Sequence, residues 1–242
     1  MSGKPAAKPI PPMMASDTFP KRVATKALTN LLERTLMMRE PPAGLEWHQI
    51  VTNSHDPIRN GAIGLAFNRI REEGIPGAIA EVGVYRGRTS RLLRRLAPER
   101  MLYLFDTFEG FPEQDLVSPD KRFSDTTLEL AKRAVGDLSR VAIRQGYFPD
   151  TAAGLEDERF AFVMLDVDLF APTLAGLEFF YPRMSAGGYI FCHDYHNHDP
   201  IVGVSRAYDV FLRDKLESIV ELPDLWGTVI LRRARDPNRI GG

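Results

Sequence analysis

Two acids two residues apart, Asp166 and Asp168, follow the apolar run 160–165. Side chains alternate along an extended backbone, so residues i and i+2 share a side and both carboxylates can face one cleft. A hard cation such as magnesium takes carboxylate oxygens, keeps some waters and can also bind a substrate oxygen. It would lower the pKa of a bound hydroxyl, and the second carboxylate could then remove the proton. A second cluster, His193-Asp194-Tyr195, follows the apolar run 188–192. Further upstream, Glu81-Val-Gly83-Val-Tyr85-Arg-Gly87 offers one acid and two glycines, and Asp106 closes the run 101–105.

All these residues stand where apolar runs stop, and the runs alternate with helical patterns. Strands are expected at 78–82, 101–105, 141–144, 160–165, 188–192, 219–222 and 228–231. Helices are expected at 23–38, 62–73, 89–96, 124–135, 172–181 and 204–216. Such alternation argues for an α/β fold: a doubly wound, mostly parallel seven-stranded sheet with helices on both faces and an N-terminal helical extension. The strands read as continuous apolar runs, as a sheet buried on both faces requires. Ligands of such sheets bind beyond the carboxyl ends of the strands, where Glu81, Asp106, Asp166, Asp168, His193 and Asp194 fall. Five acids and an imidazole on one rim are not a stability feature.

The organisation follows. Residues 1–20 read as a flexible, Pro-rich tail and 21–76 as an N-terminal helical cover. Residues 77–235 form the sheet domain, and 236–242 a flexible C-terminal tail. A formal net charge of -1 gives no reason to expect nucleic acid or an anionic membrane as partner. The arginines at 86, 88, 91, 94 and 95 read as a solvated helix face. The single cysteine, Cys192, suits a reducing, cytoplasmic setting, and no apolar stretch is long enough to span a bilayer. A homodimer is the base-rate expectation.

A dinucleotide loop would want Gly-x-Gly-x-x-Gly to seat a pyrophosphate. The loop at 81–87 suits instead an amino-acid moiety with its own ammonium and carboxylate; its alternative is a plain strand-to-helix turn. Asp106 can accept from both ribose hydroxyls, or serve as a loop or capping acid. Together Glu81 and Asp106 favour a nucleoside-type ligand.

These motifs carry a resemblance. Glu81-Val-Gly-Val-Tyr-Arg-Gly-Arg-Thr-Ser90 and Leu104-Phe-Asp106-Thr107-Phe-Glu-Gly-Phe-Pro112 resemble the macrocin O-methyltransferase (TylF-type) family. So do Gly146-Tyr-Phe-Pro-Asp-Thr151, Leu165-Asp-Val-Asp-Leu169 and Tyr181-Pro-Arg-Met-Ser-Ala-Gly-Gly-Tyr189. The resemblance runs from about Ile79 to Phe211, with the motifs in order. It implies a Rossmann-like, S-adenosylmethionine-dependent methyltransferase acting on a hydroxyl of a small sugar or natural-product acceptor, with a divalent cation, usually magnesium. It places the cofactor on Glu81, Gly83, Tyr85, Gly87, Thr89, Ser90, Asp106, Thr107 and Asp166. It implies Asp168 as general base and Asp166, His193 and Asp194 as metal ligands.

His193 departs from the family, which carries an acid there. An imidazole shifts preference towards manganese, iron, nickel or zinc. It also leaves open a weaker metal site, a metal-independent enzyme with His193 as base, or a regulatory module that has lost its chemistry. A nicotinamide-dependent oxidoreductase is disfavoured by the glycine loop. His196, His198 and Asp199 extend the cluster into a loop, and Arg206 opens the next helix. The segment 105–123, with Trp47, His48 and Tyr85, is the expected cover of the acceptor pocket.

Overall fold

The computed structural model describes residues 56–234, all within the second of the chain's two units, Glu40–Gly242. The helix expected at 23–38, Trp47, His48 and both tails lie outside the described residues. Seven strands form one sheet: β1 (Ala78–Val82), β2 (Leu102–Asp106), β3 (Val141–Gln145), β4 (Phe160–Leu165), β5 (Met184–Cys192), β6 (Ile219–Leu222) and β7 (Thr228–Arg232). Their order is β3-β2-β1-β4-β5-β7-β6. The first five pair in parallel, while β7 runs antiparallel to β5 and β6. The expected doubly wound, mostly parallel sheet is what forms.

Five helices flank it: α1 (Pro57–Glu72), α2 (Arg88–Leu96), α3 (Leu128–Val135), α4 (Phe170–Phe180) and α5 (Val204–Phe211). Helix α2 packs on α1 and α3, and α4 packs on α5. Right-handed crossovers leaving β1 and β4 in opposite directions put these two groups on opposite faces. Every residue of β1 and β4 is buried. Aromatic rings fill one side: Phe160 and Phe180 meet edge-on at 5.0 Å, and Phe148 stacks on Phe180 at 5.7 Å. Each such buried ring is worth about 1.5–3 kcal/mol. The chain reverses its direction of strand addition between β1 and β4, which makes their carboxyl ends the switch point where ligands bind.

Element boundaries differ from expectation where capping outweighs periodicity. Helix α1 starts at Pro57, not Ala62: the Asp56 carboxylate accepts from the Arg59 N–H at 3.0 Å, and Pro57 occupies the first turn. Helix α3 starts at Leu128, not Ser124, because Thr127 caps it. Helix α4 begins at Phe170, before Pro172. Strand β5 begins at Met184 rather than Gly188, and α5 stops at Phe211, continued by a short 3-10 turn, Leu212–Asp214. The arginine face of α2 is not wholly solvated: Arg94 is buried and bonds to Asp137, Ser139 and the Pro98 carbonyl.

Candidate active site

The β1–α2 turn supplies one half of the rim. Glu81 lies within β1 and is buried, with the Ser90 hydroxyl donating to its carboxylate. Burial pushes the Glu81 carboxyl up to about 8, against the lowering effect of that hydrogen bond. The pair ties the strand to the first turn of α2, where Thr89 is also buried. Gly83 has φ 87°, and a Cβ there would stand 1.9 Å from the Asp166 carbonyl oxygen. Only glycine lets the ends of β1 and β4 approach so closely. Gly87, at φ 72°, precedes α2, whose N-terminus has no side-chain cap. Such an end leaves backbone N–H groups for an anion, as a carboxylate requires.

Asp106 ends β2 and gathers this half. One of its oxygens accepts from the N–H groups of Val84 and Tyr85 at 2.7 and 2.8 Å; the other accepts from the Phe108 N–H at 2.6 Å. Thr107 ties its own loop, its hydroxyl donating to the Gly110 carbonyl at 2.8 Å. The Tyr85 hydroxyl reaches away to Asp125 at 2.7 Å, so the side chain braces the segment after β2. Beyond β2 and β3 opens a cleft of about 690 Å³, with Thr107, Gln145, Gly146 and Tyr147 among its walls.

The other half is side-chain chemistry. Strand β4 ends at Leu165, so strand alternation does not extend through Asp166 and Asp168. A tight turn brings them to the rim instead: the Leu169 N–H bonds to the Val167 carbonyl at 2.6 Å around Asp168, whose φ is 59°. Asp194, just past β5, also has a positive φ, 64°. Non-glycine residues in this region cost free energy and cluster at working sites. Asp168 is 8% exposed, and among the described residues nothing hydrogen-bonds to its carboxylate. Burial and the neighbouring charges of Asp194 and Asp166 hold its carboxyl well above the ordinary range.

Asp166, His193 and Asp194 converge. His193 Nδ1 lies 2.8 Å from Asp194 Oδ2 and 3.3 Å from Asp166 Oδ1. The atoms turned outward are held elsewhere: Asp166 Oδ2 accepts from Arg59 Nη1 at 2.9 Å, and Asp194 Oδ1 from the Asn197 amide at 2.7 Å. His193 Nε2 meets the Leu225 carbonyl at 2.8 Å; a carbonyl only accepts, so Nε2 carries the proton. Burial would raise Asp166, but His193 and Arg59 hold it down to about 2. Burial would lower His193, yet Asp166 and Asp194 raise it to about 10. These directions describe the cluster with a proton on Nδ1; a cation would compete with that proton for the same lone pair. Two ligands each about 2.1 Å from one ion stand roughly 3.0 Å apart at a right angle and roughly 3.4 Å at a tetrahedral one. The two separations from His193 Nδ1, 2.8 and 3.3 Å, are of that size, and the three donors lie within 4.8 Å of one another, so the set fits a divalent cation.

Sequence reasoning missed two contributors. Arg59 and Asp56 come from the first turn of α1, and the Asp56-Pro57 capping pair was the signal that could have found it. The β6–β7 turn supplies the Leu225 carbonyl and sets the Trp226 ring edge-on to His193 at 6.2 Å. Asp224 fastens that turn, accepting from the Thr228 N–H and hydroxyl, both at 2.5 Å. Other expected residues fall outside the cluster. His196 pairs with Glu221 on the surface at 2.7 Å, Asp199 with Arg122 at 2.8 Å, and Arg206 sits over the Phe170 ring. Cys192 is a buried free thiol. No helix among the described residues is long and apolar enough to cross a membrane.

Comparison with known proteins bears on this geometry. The model of the Macrocin-O-methyltransferase (TylF) family matches residues 4–228. The chain is 28% identical over 203 residues to the 8-demethyl-8-(2,3-dimethoxy-alpha-L-rhamnosyl)-tetracenomycin-C 4'-O-methyltransferase of Streptomyces olivaceus, covering 70% of this chain and 77% of that protein. It is 28% identical over 140 residues to the demethyldecarbamoylnovobiocin O-methyltransferase of Streptomyces niveus, covering 50% of this chain and only 53% of the relative. Among solved structures, the O-methyltransferase NovP superposes with a TM-score of 0.65 at 21% identity, covering 88% of this chain and 99% of that one. At that identity the likeness concerns the fold.

Proposed function

The chain belongs to the macrocin O-methyltransferase family and is an S-adenosylmethionine-dependent O-methyltransferase; we propose that it methylates a hydroxyl of a small sugar or natural-product acceptor, with Asp168 as general base and a divalent cation assisting. The observation that carries the mechanism is Asp168: buried, held at a strained turn, flanked by two acids and without a hydrogen bond to its carboxylate among the described residues. The acceptor class rests on the names of the two relatives, both O-methyltransferases of elaborate small molecules.

The residues divide the work. S-adenosylmethionine, when bound, supplies a methyl group already activated on a sulfonium. The uncapped start of α2 receives its carboxylate, and Asp106 keeps the Gly83–Gly87 turn in shape while using its remaining acceptor capacity on the ribose. The cleft walled by Thr107, Gln145, Gly146 and Tyr147 takes the base. Asp166, His193 and Asp194 would hold a divalent cation, which would supply Lewis acidity to the acceptor hydroxyl. Asp168 accepts the hydroxyl proton, its buried carboxylate carrying no hydrogen bond among the described residues. The acceptor oxygen would take the methyl carbon while the carbon–sulfur electron pair would stay on sulfur, the sulfonium becoming a neutral thioether. His193 is unsuited to be the base, since Nε2 donates to a carbonyl and Nδ1 faces two carboxylates. Half-exposed Leu225 and Trp226 offer an apolar wall beside this cluster.

The test is a calorimetric titration of the full-length protein with S-adenosylhomocysteine, followed by a screen of glycosides and phenols for methyl transfer. Micromolar or tighter binding and a methyl ether product are expected. Absence of binding under every metal condition would sink the reading.

A further inference from the structure

Each of Asp166, His193 and Asp194 turns one atom inward and has its other polar atom held from outside. The inward set is two carboxylate oxygens and one imidazole nitrogen. We infer that His193 makes this a mixed oxygen–nitrogen site that prefers a transition ion such as cobalt or manganese over magnesium, with Arg59, Asn197 and the Leu225 carbonyl as its supporting groups. This rests on the metal-assisted reading above and specifies its ion.

Three observations carry it. First, the outward partners are those that orient a bound ligand: a guanidinium and an amide on the far carboxylate oxygens, and a carbonyl on the far ring nitrogen. Ligating histidines commonly donate their other N–H to such a carbonyl, which fixes the tautomer and aims the free lone pair. Second, only one side of the ring is available. Asp56 and Asp224 also lie near His193, but on the Nε2 side, where the Leu225 carbonyl is at 2.8 Å and Thr228 holds the Asp224 carboxylate. Third, Asp168 adds a buried carboxylate beside Asp166 and Asp194 that no described residue hydrogen-bonds. A cation on the inward side balances this local excess of negative charge. Magnesium holds oxygen ligands and dehydrates reluctantly, whereas imidazole favours the later ions, with affinity rising from manganese to cobalt.

The experiment needs no acceptor. Chelator-treated full-length protein is titrated by calorimetry with magnesium, manganese and cobalt chlorides separately, and the cobalt sample is read by visible absorption. Cobalt is expected to bind tightest and magnesium weakest, by at least ~10-fold, with cobalt bands that shift in His193→Asp. That variant should narrow the gap between cobalt and magnesium. Should it fail to fold, Asn197→Ala provides the second test: cobalt affinity is expected to fall about 10–100-fold while S-adenosylhomocysteine affinity holds. Equal affinity for magnesium and cobalt would overturn the inference, as would no metal heat from protein that still binds S-adenosylhomocysteine. Loss of S-adenosylhomocysteine binding itself would instead remove the cofactor reading beneath it.

Discussion

On the β1–β2 side of the rim, acceptors and donors match. Asp106 takes three backbone N–H groups and Glu81 takes the Ser90 hydroxyl, while positive φ angles fall on Gly83, Tyr85, Gly87 and Phe108. On the β4–β5 side, where Asp168 and Asp194 also carry positive φ angles, acids crowd together around one imidazole. The acids of the first side are satisfied before any ligand arrives; those of the second stay unbalanced until one does. That difference suits a binding surface for a constant cofactor on one side and a reactive centre on the other. Native structures hold strain and unpaired charge where chemistry needs them.

The comparison can be broken or sharpened by substitution. The largest effect is expected from Asp168→Asn, which removes the proposed base with little change of shape. Turnover of whichever acceptor the screen yields should drop about 10²–10⁴-fold, while S-adenosylhomocysteine affinity stays within experimental scatter. A variant as active as the parent would take the base role from Asp168. Next in size, Asp106→Ala strips charged hydrogen bonds worth roughly 1.5–3 kcal/mol each from the opposite side. Its S-adenosylhomocysteine affinity should weaken by about 10–100-fold with the metal heats unaltered; coupled loss of both would show that the two sides are not separate.

The smallest effect concerns stability. The folded pKa of Glu81 is raised to about 8 from an ordinary 4.5, chiefly by burial. A raised folded pKa means the folded state holds the proton more tightly. The stability it contributes is therefore complete below pH 4.5 and lost as pH climbs towards 8. Glu81→Gln keeps the shape and the Ser90 contact without titrating. Thermal unfolding should find this variant gaining on the parent as pH rises from 5 to 8, and a gap independent of pH would contradict the assignment.

Much of this was legible along the chain. The apolar runs placed the strands to within a few residues, and the acids that follow them marked the rim. Local signals sufficed there because a strand buried on both faces must be apolar throughout, and a rim must be where it stops. The start of α1 was misplaced because glycines at 61 and 64 blur the helical pattern, while the Asp56-Pro57 cap carries the real signal. The role of the β6–β7 turn has no sequence signal, since nothing in Leu225 or Trp226 announces a backbone carbonyl aimed at His193.

The sequence by itself determined the doubly wound sheet, its ligand-bearing edge and the residue types gathered there, because these depend on burial patterns and chain order. Only the tertiary structure decided which atom of each side chain faces inward. Arg59 and Leu225, distant in the chain, hold the outer atoms of Asp166 and His193, and such pairings arise from packing between elements rather than from spacing within one.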